Sequence, residues 1–273
     1  MITDDELGRL LRPVIDLAQA AGEAILQVYE AASYDVEQKA DETPLTSADI
    51  AAHDVIDRGL PALRADWPIL SEESAEIPYS ERAGWHTYWL VDPLDGTREF
   101  IKRNGEFTVN IALIDDGRPV LGVVYAPVLD IVYFGTRADG AWKQRAGAEP
   151  ESIHVCPLSD GPVRVAGSRS HANDRLAAYL ERLGPHELRP MGSSLKSCLV
   201  AEGAADLYPR LGPTSEWDTA AAQAVVEAAG GHLTDTQLRP LRYNQQESLL
   251  NPDFLVFGDE RRDWSQYLDA AVD

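Results

Sequence analysis

A chain of 273 residues with 45 acidic and 24 basic side chains carries a formal charge of −21, and such a surface argues against a DNA- or RNA-binding module. Its 44% hydrophobic and 25% charged residues are ordinary globular composition and argue against disorder, while the length points to one large or two closely packed domains. The two cysteines, Cys156 and Cys198, stand outside any Cys-x-x-Cys pair, so a disulfide framework is not indicated.

Leu7, Leu10, Leu11, Val14, Ile15, Ala18, Ala21 and Ile25 recur at helical spacing, which predicts an amphipathic helix over about residues 4–32. Residues 41–44 read as a loop. Thr46-Ser47-Ala48-Asp49 opens a second helix with Ala52, Val55, Ile56, Leu60 and Leu63 on its apolar face. Residues 68–70 read as a short strand running into Ser71-Glu72-Glu73, and residues 79–85 as polar loop. Residues 87–91 read as a strand that Asp92-Pro93 ends abruptly. Sheet patterning follows over 107–114, 120–125 and 131–134, with Asp115-Asp116-Gly117 as a hairpin signal.

Residues 143–151, with Ala-Gly-Ala and Pro150, are the boundary candidate. They divide the chain into an α+β half over 1–145 and an α/β half over 152–273. In the second half, strands are predicted over 163–166, 205–208 and 255–257. Helices are predicted over 173–183, 193–203 and 219–229, the last stopped by Gly230-Gly231. The acidic N-terminus lacks a signal-peptide pattern, and no apolar run nears the ~20 residues of a membrane span. The chain is expected in the cytoplasm, with peripheral association on the cytoplasmic face of the inner membrane left open.

Three acidic stretches carry chemistry. In Asp92-Pro93-Leu94-Asp95-Gly96-Thr97, Pro93 fixes φ and removes a donor, and Gly96 permits positive φ, so two acids can converge on one point. Convergent carboxylates suit a hard cation such as Mg²⁺; a tight Asx turn would use the same residues. Leu70-Ser71-Glu72-Glu73 sets paired acids at a strand end, where a solvated loop is the plainer reading. Glu216-Trp217-Asp218-Thr219 sets Asp218 in the first turn of an Ala-rich helix, where an acid also suits the helix dipole.

Taken together, the stretches resemble the inositol monophosphatase superfamily of Li⁺-sensitive, Mg²⁺-dependent phosphatases. The strand-end acids match its Glu-Glu element, residues 92–97 its Asp-Pro-(Ile/Leu)-Asp-Gly-Thr signature, and 217–221 its Trp-Asp-x-Ala-(Ala/Gly) signature. Residues 98–114, Gly122 to Pro127, Ser168-Arg169-Ser170-His171, Gly192-Ser193-Ser194-Leu195-Lys196 and 207–213 are similar to its 3′(2′),5′-bisphosphate nucleotidase branch. The resemblance implies a layered αβαβα sandwich with the site between two closely packed halves. It implies metal-assisted in-line hydrolysis without a covalent phospho-enzyme.

Carried over position by position, Glu72, Asp92, Asp95, Asp218 and the Leu94 carbonyl become Mg²⁺ ligands. Gly96 and Thr97 face the phosphate through their backbone, where helix-start N–H groups favour an anion. Thr97 orients the attacking water, with Asp49 of the Thr46–Asp49 element taking its hydroxyl proton and Glu72 part of the catalytic set. His171, Ser193, Lys196 and Arg210 become contacts to the rest of a phosphorylated nucleotide. The implied reaction is 3′-phosphoadenosine 5′-phosphate to AMP, relevant to sulfate assimilation. An inositol or sugar phosphate on the same site is the alternative, and an inactive binding homologue a more distant one. Gly192, where some relatives carry Asp, departs from the pattern and bears on the nucleotide pose.

Overall fold

Residues 2–31, 36–38, 44–158, 160–167 and 173–268 are described by the computed structural model. The first half opens with α1 (Asp4–Glu30), the short pair β1 (Val36–Gln38) and β2 (Pro44–Thr46), and α2 (Ser47–Leu63). It continues through β3 (Ile69–Ser71), α3 (Tyr79–Arg82), β4 (Thr87–Asp95), α4 (Thr97–Ile101), β5 (Thr108–Asp115), β6 (Arg118–Ala126), β7 (Ile131–Thr136), β8 (Gly140–Arg145) and β9 (Glu151–Ile153). The second half holds β10 (Val163–Gly167), α5 (Asp174–Leu183), β11 (His186–Pro190), α6 (Leu195–Ala201), β12 (Leu207–Arg210), α7 (Glu216–Ala228), β13 (His232–Asp235) and β14 (Phe254–Phe257).

Strands β3 to β9 form one seven-stranded sheet in sequence order, and a five-stranded mixed sheet takes the order β11-β10-β12-β14-β13. Period-2 alternation sorts the side chains of the first sheet into two cores. Trp89, Val91, Ile111, Leu113 and Val123 pack under α1 and α2. Tyr88, Leu90, Ala112, Ile114 and Val124 pack against α6, α7 and the inner face of the second sheet. A third core lies between the outer face of that sheet and Tyr179 and Leu183 of α5. The layers are therefore helix, sheet, helix, sheet, helix.

Helix α7 is buried nearly all round, as expected of a helix between two sheets. Its alanines meet glycines: a Cβ on Gly122 would lie 2.1 Å from the Ala221 carbonyl. That approach seats α7, which carries Asp218, against β6.

Several predicted bounds shift. The first helix ends at Glu30, with Ala31 as C-cap, and residues 32 and 41–43 lie outside the described residues. Residues 79–85 are not simply polar loop. They include α3, whose Arg82 is 1% exposed and donates to Asn244 Oδ1 (2.6 Å), Gln246 O (3.0 Å) and Glu247 O. Strand β4 does not stop at Val91 but continues through the whole Asp-Pro-Leu-Asp run. Residues 143–151 form a hairpin of β8 and β9 with Lys143 opposite Glu151, so the chain leaves the first sheet after Ile153. Strands β11 and β13, rich in polar residues, lack the apolar run that would have marked them. No helix among the described residues is long and apolar enough to cross a membrane.

Candidate active site

The ladder between β4 and β5 explains how two acids three apart share a face. Asp92 lies opposite Asn110, but Asp95 lies opposite Thr108, with a register shift between. A regular strand would send residues three apart to opposite faces; the extra residue of a bulge restores them to one. Pro93, which has no N–H to give a ladder, sits in that bulge. Leu94 N donates to Asp92 Oδ1 at 3.0 Å. Gly96 then takes φ 97° as it caps α4, a conformation glycine adopts at no steric cost.

Carboxylate oxygens of Asp92, Asp95 and Asp218 come within 4.8 Å of one another. Asp92 is 1% exposed, and its carboxyl is pushed well up, first by burial, then by Glu72, Asp95 and Asp218. Asp218 keeps part of its surface open to solvent. Burial and then Asp95 raise its carboxyl too, while the Ser215 N–H opposes them. Asp218 Oδ2 accepts that N–H at 2.9 Å, so the helix-start role and convergence on the cluster coexist. Glu72, in a 3₁₀ turn at the end of β3, lies close enough to Asp92 to raise its carboxyl. Among the described residues no Lys, Arg or His pairs with the three aspartates. An all-oxygen, converging donor set with no such pairing fits a hard divalent cation.

Asp49 is 1% exposed. Its Oδ2 accepts Thr46 N (2.7 Å) and Thr46 Oγ1 (2.6 Å) in a capping box, and its Oδ1 faces Thr97 Oγ1 at 3.3 Å. The Asp49–Thr97 contact expected from the motif is present.

Beside the cluster opens a pocket whose lining includes Asp95, Ser193, Lys196, Arg210 and Asp218. Ser193 is non-glycine at φ 46°, a sparsely populated conformation that costs energy and is common where function dictates geometry. Lys196 is buried and donates to Ser193 O at 2.6 Å. Burial lowers its pKa to about 8, against the opposing pull of Asp95. Arg210 Nη2 donates to Pro213 O at 2.9 Å, and its buried Nε has no partner among the described residues. A Cβ at Gly192 would lie 2.6 Å from Glu106 O, so close packing of this loop explains the glycine. His171 lies outside the described residues.

The pocket also includes Glu99 and Tyr208, which lie in the quoted stretches but were given no role, and Thr214 and Phe254, which lie outside them. Tyr208 flanks Lys196, whose Nζ is 5.4 Å from the ring centroid. Ser194 and Asn110 hydrogen-bond to Asp95. Both stood inside the quoted stretches, but only the fold brings them together.

The sequence model of the inositol monophosphatase family matches residues 6–263. The 3′(2′),5′-bisphosphate nucleotidase CysQ of Escherichia coli O157:H7 is 56% identical over 249 residues, covering 90% of this chain and 99% of that protein. CysQ of Salmonella typhimurium is 54% identical over 248 residues, covering 90% and 99%. The crystal structure of CysQ from Bacteroides thetaiotaomicron superposes with a TM-score of 0.80 at 44% identity, covering 91% of this chain and 97% of that one.

Proposed function

This chain belongs to the inositol monophosphatase family, and we propose from its kinship with CysQ proteins that it is a 3′(2′),5′-bisphosphate nucleotidase. It is a phosphoric monoester hydrolase, and 3′-phosphoadenosine 5′-phosphate is the substrate we assign, with AMP and phosphate as products. The observation that carries the hydrolytic reading is the convergence of Asp92, Asp95 and Asp218 within 4.8 Å, with no Lys, Arg or His ion-paired to them among the described residues.

We assign Mg²⁺ to these aspartates with Glu72 and the Leu94 carbonyl; bound there, it supplies Lewis-acid charge to the phosphoryl group and to water. The Gly96 and Thr97 N–H groups, at the start of α4, are assigned to the phosphoryl oxygens. Thr97 Oγ1 donates toward Asp49 Oδ1, which leaves its lone pairs to accept a proton from the attacking water and hold it in line. Asp49 is suited to take the hydroxyl proton, since its other oxygen is already occupied by Thr46. Catalysis on this reading is mostly positioning and charge stabilisation. Ser193, Lys196 and Arg210 meet the second phosphate, and His171 is assigned to the nucleobase side.

A phosphate-release panel with purified protein tests the reading. Release from 3′-phosphoadenosine 5′-phosphate should require Mg²⁺, stop with EDTA, and exceed release from inositol monophosphate in kcat/KM. A preference for the inositol ester overturns the nucleotide assignment, and metal-independent turnover overturns the metal site.

A further inference from the structure

Asp95 differs from its neighbours in how its two oxygens are used. Oδ2 accepts Ser194 N at 2.6 Å, Ser194 Oγ at 2.8 Å and, at the limit of a hydrogen bond, Asn110 Nδ2 at 3.5 Å. Among the described residues no donor reaches Oδ1. A carboxylate on a single bond has a broad, two-fold torsional preference; donors crowded onto one oxygen fix it. We propose that Ser194 and Asn110 are positioning residues for Asp95, filling one carboxylate oxygen so that the other is presented to the cation. The proposal rests on the reading of Asp95 as a cation ligand.

The donors form a chain. Asn110 Nδ2 faces the Asp95 carboxylate, which accepts, so that end of the amide is the NH₂, and Oδ1 accepts from Thr108 Oγ1 at 3.0 Å. Asn110 Nδ2 then donates to Ser194 Oγ at 2.9 Å, occupying a lone pair of the hydroxyl. The single hydroxyl proton has two acceptors left, Asp95 Oδ2 at 2.8 Å and the Asp218 carbonyl at 2.7 Å. Thr108, Asn110 and Ser194 are each buried, so water does not substitute for any link. The path runs from β5 of the first sheet to the turn before α6, and from there to the backbone of α7.

The donors are all neutral. Lys196, the buried cation nearby, spends a proton on Ser193 O instead. A neutral clamp orients Asp95 without cancelling its charge, which is what a cation ligand needs. Groups that orient ligands from behind typically matter 10–100-fold to metal affinity.

Titrating the intact protein with Mn²⁺, read by electron paramagnetic resonance of the free ion, tests the clamp. Ser194→Ala should weaken Mn²⁺ binding roughly 10–100-fold. Asn110→Ala should weaken it in the same direction. The double variant should be little worse than Ser194→Ala alone, because Asn110 acts mainly through that hydroxyl at 2.9 Å and its direct contact to Asp95 is at the 3.5 Å limit. In EDTA the melting temperature of Ser194→Ala should fall only about 2–4 °C, the loss of one hydrogen bond. Saturating Mn²⁺ should restore most of its kcat with substrate KM unchanged. A merely structural serine would lower the melting temperature and leave the metal affinity alone, which overturns the proposal. Asp95→Asn is the control beneath it. If that variant loses Mn²⁺ affinity while both alanine variants keep it, the clamp fails and the ligand stands; if Asp95→Asn keeps wild-type affinity, the ligand reading itself fails. Asn110→Ala leaves the turn before α6 unaltered and carries the test should Ser194→Ala not fold.

Discussion

Asp92, between the two sheets, and Asp259, at the far end of the second, are both buried carboxylates, 1% and 8% exposed, yet they titrate in opposite directions. Asp259 accepts Leu158 N, Arg261 N and Arg261 Nε at 2.9 Å each, and pairs with Arg261 Nη2. Its pKa is lowered, first by the Arg261 side chain and then by the Leu158 N–H. Asp92 receives Leu94 N and otherwise faces acids, and burial then drives its pKa up. Depth and donors act together: Asp92 lies deep among acids, whereas Asp259 lies near the surface under an exposed arginine and accepts several N–H groups. One carboxylate is complete within the fold, while the other needs something from outside it.

The sharpest way to break this contrast is Asp92→Asn, which keeps the shape and removes the charge. Removing one partner from a buried charge set costs about 3–5 kcal/mol, so kcat/KM should fall roughly 10²–10⁴-fold. Without metal the same change relieves repulsion, so the EDTA-treated variant should melt no lower than wild type. The pH dependence carries the sign. Asp92 is raised, and Glu216 is pushed up to about 7, mainly by burial and against the Asn244 N–H. Groups with raised folded pKa contribute stability that is whole below about pH 4 and lost as pH climbs through the folded value. Metal-free wild type should therefore lose stability between about pH 4 and 7, and Asp92→Asn should flatten that slope. A metal-free melting profile that rises over this range would contradict the reading of the cluster.

How much of this was legible in the residues divides along the same line. The acids could be read as a metal set because motif order survives in one dimension. The α1 and α2 helices were legible because their apolar residues repeat at helical spacing over long windows. What makes Asp92 and Asp95 face one another, however, is a bulge against β5, and periodicity gives no sign of one. Strand β4 looked finished at Pro93 because proline interrupts a ladder; the bulge tolerates it. Arg82 looked like loop surface because its partners, Asn244 and residues 246 and 247, lie far along the chain. Ser194 and Asn110 are polar residues whose meaning is a contact across 84 positions. Glycines 122 and 135 signalled nothing locally; their role is the close approach of α7.

A smaller effect is expected at Lys196, the buried cation in the same pocket. Its Nζ is held by Ser193 O and makes no ion pair with an aspartate among the described residues, so it can still donate to a ligand. A charge-assisted hydrogen bond to phosphate contributes about 1.5–3 kcal/mol. Lys196→Ala should lower kcat/KM for 3′-phosphoadenosine 5′-phosphate roughly 10–150-fold and barely alter that for inositol monophosphate, which brings no second phosphate. Equal loss on both substrates would show that Lys196 serves the reacting phosphoryl group or the fold instead.

The smallest effect belongs to Asp259, and it tests the other side of the contrast. Asp259→Asn should leave turnover unchanged, since the turn packs against Leu158 and Trp264 and contributes nothing to the pocket lining. The arginine that covers it is itself largely exposed, at 73%, so solvent screens the pair and its charge contributes modestly. The main loss is in backbone acceptance, about 1 kcal/mol for a hydrogen bond, or roughly 2–4 °C in melting temperature. Because the folded pKa is depressed, this stability is present above the unfolded value of about 3.9 and lost as pH falls toward the folded one. The gap between wild type and Asp259→Asn should hold at neutral pH and close below about pH 3. Melting curves that keep the same gap at both pH values would mean that the carboxylate's charge plays no part, and that shape alone holds the turn.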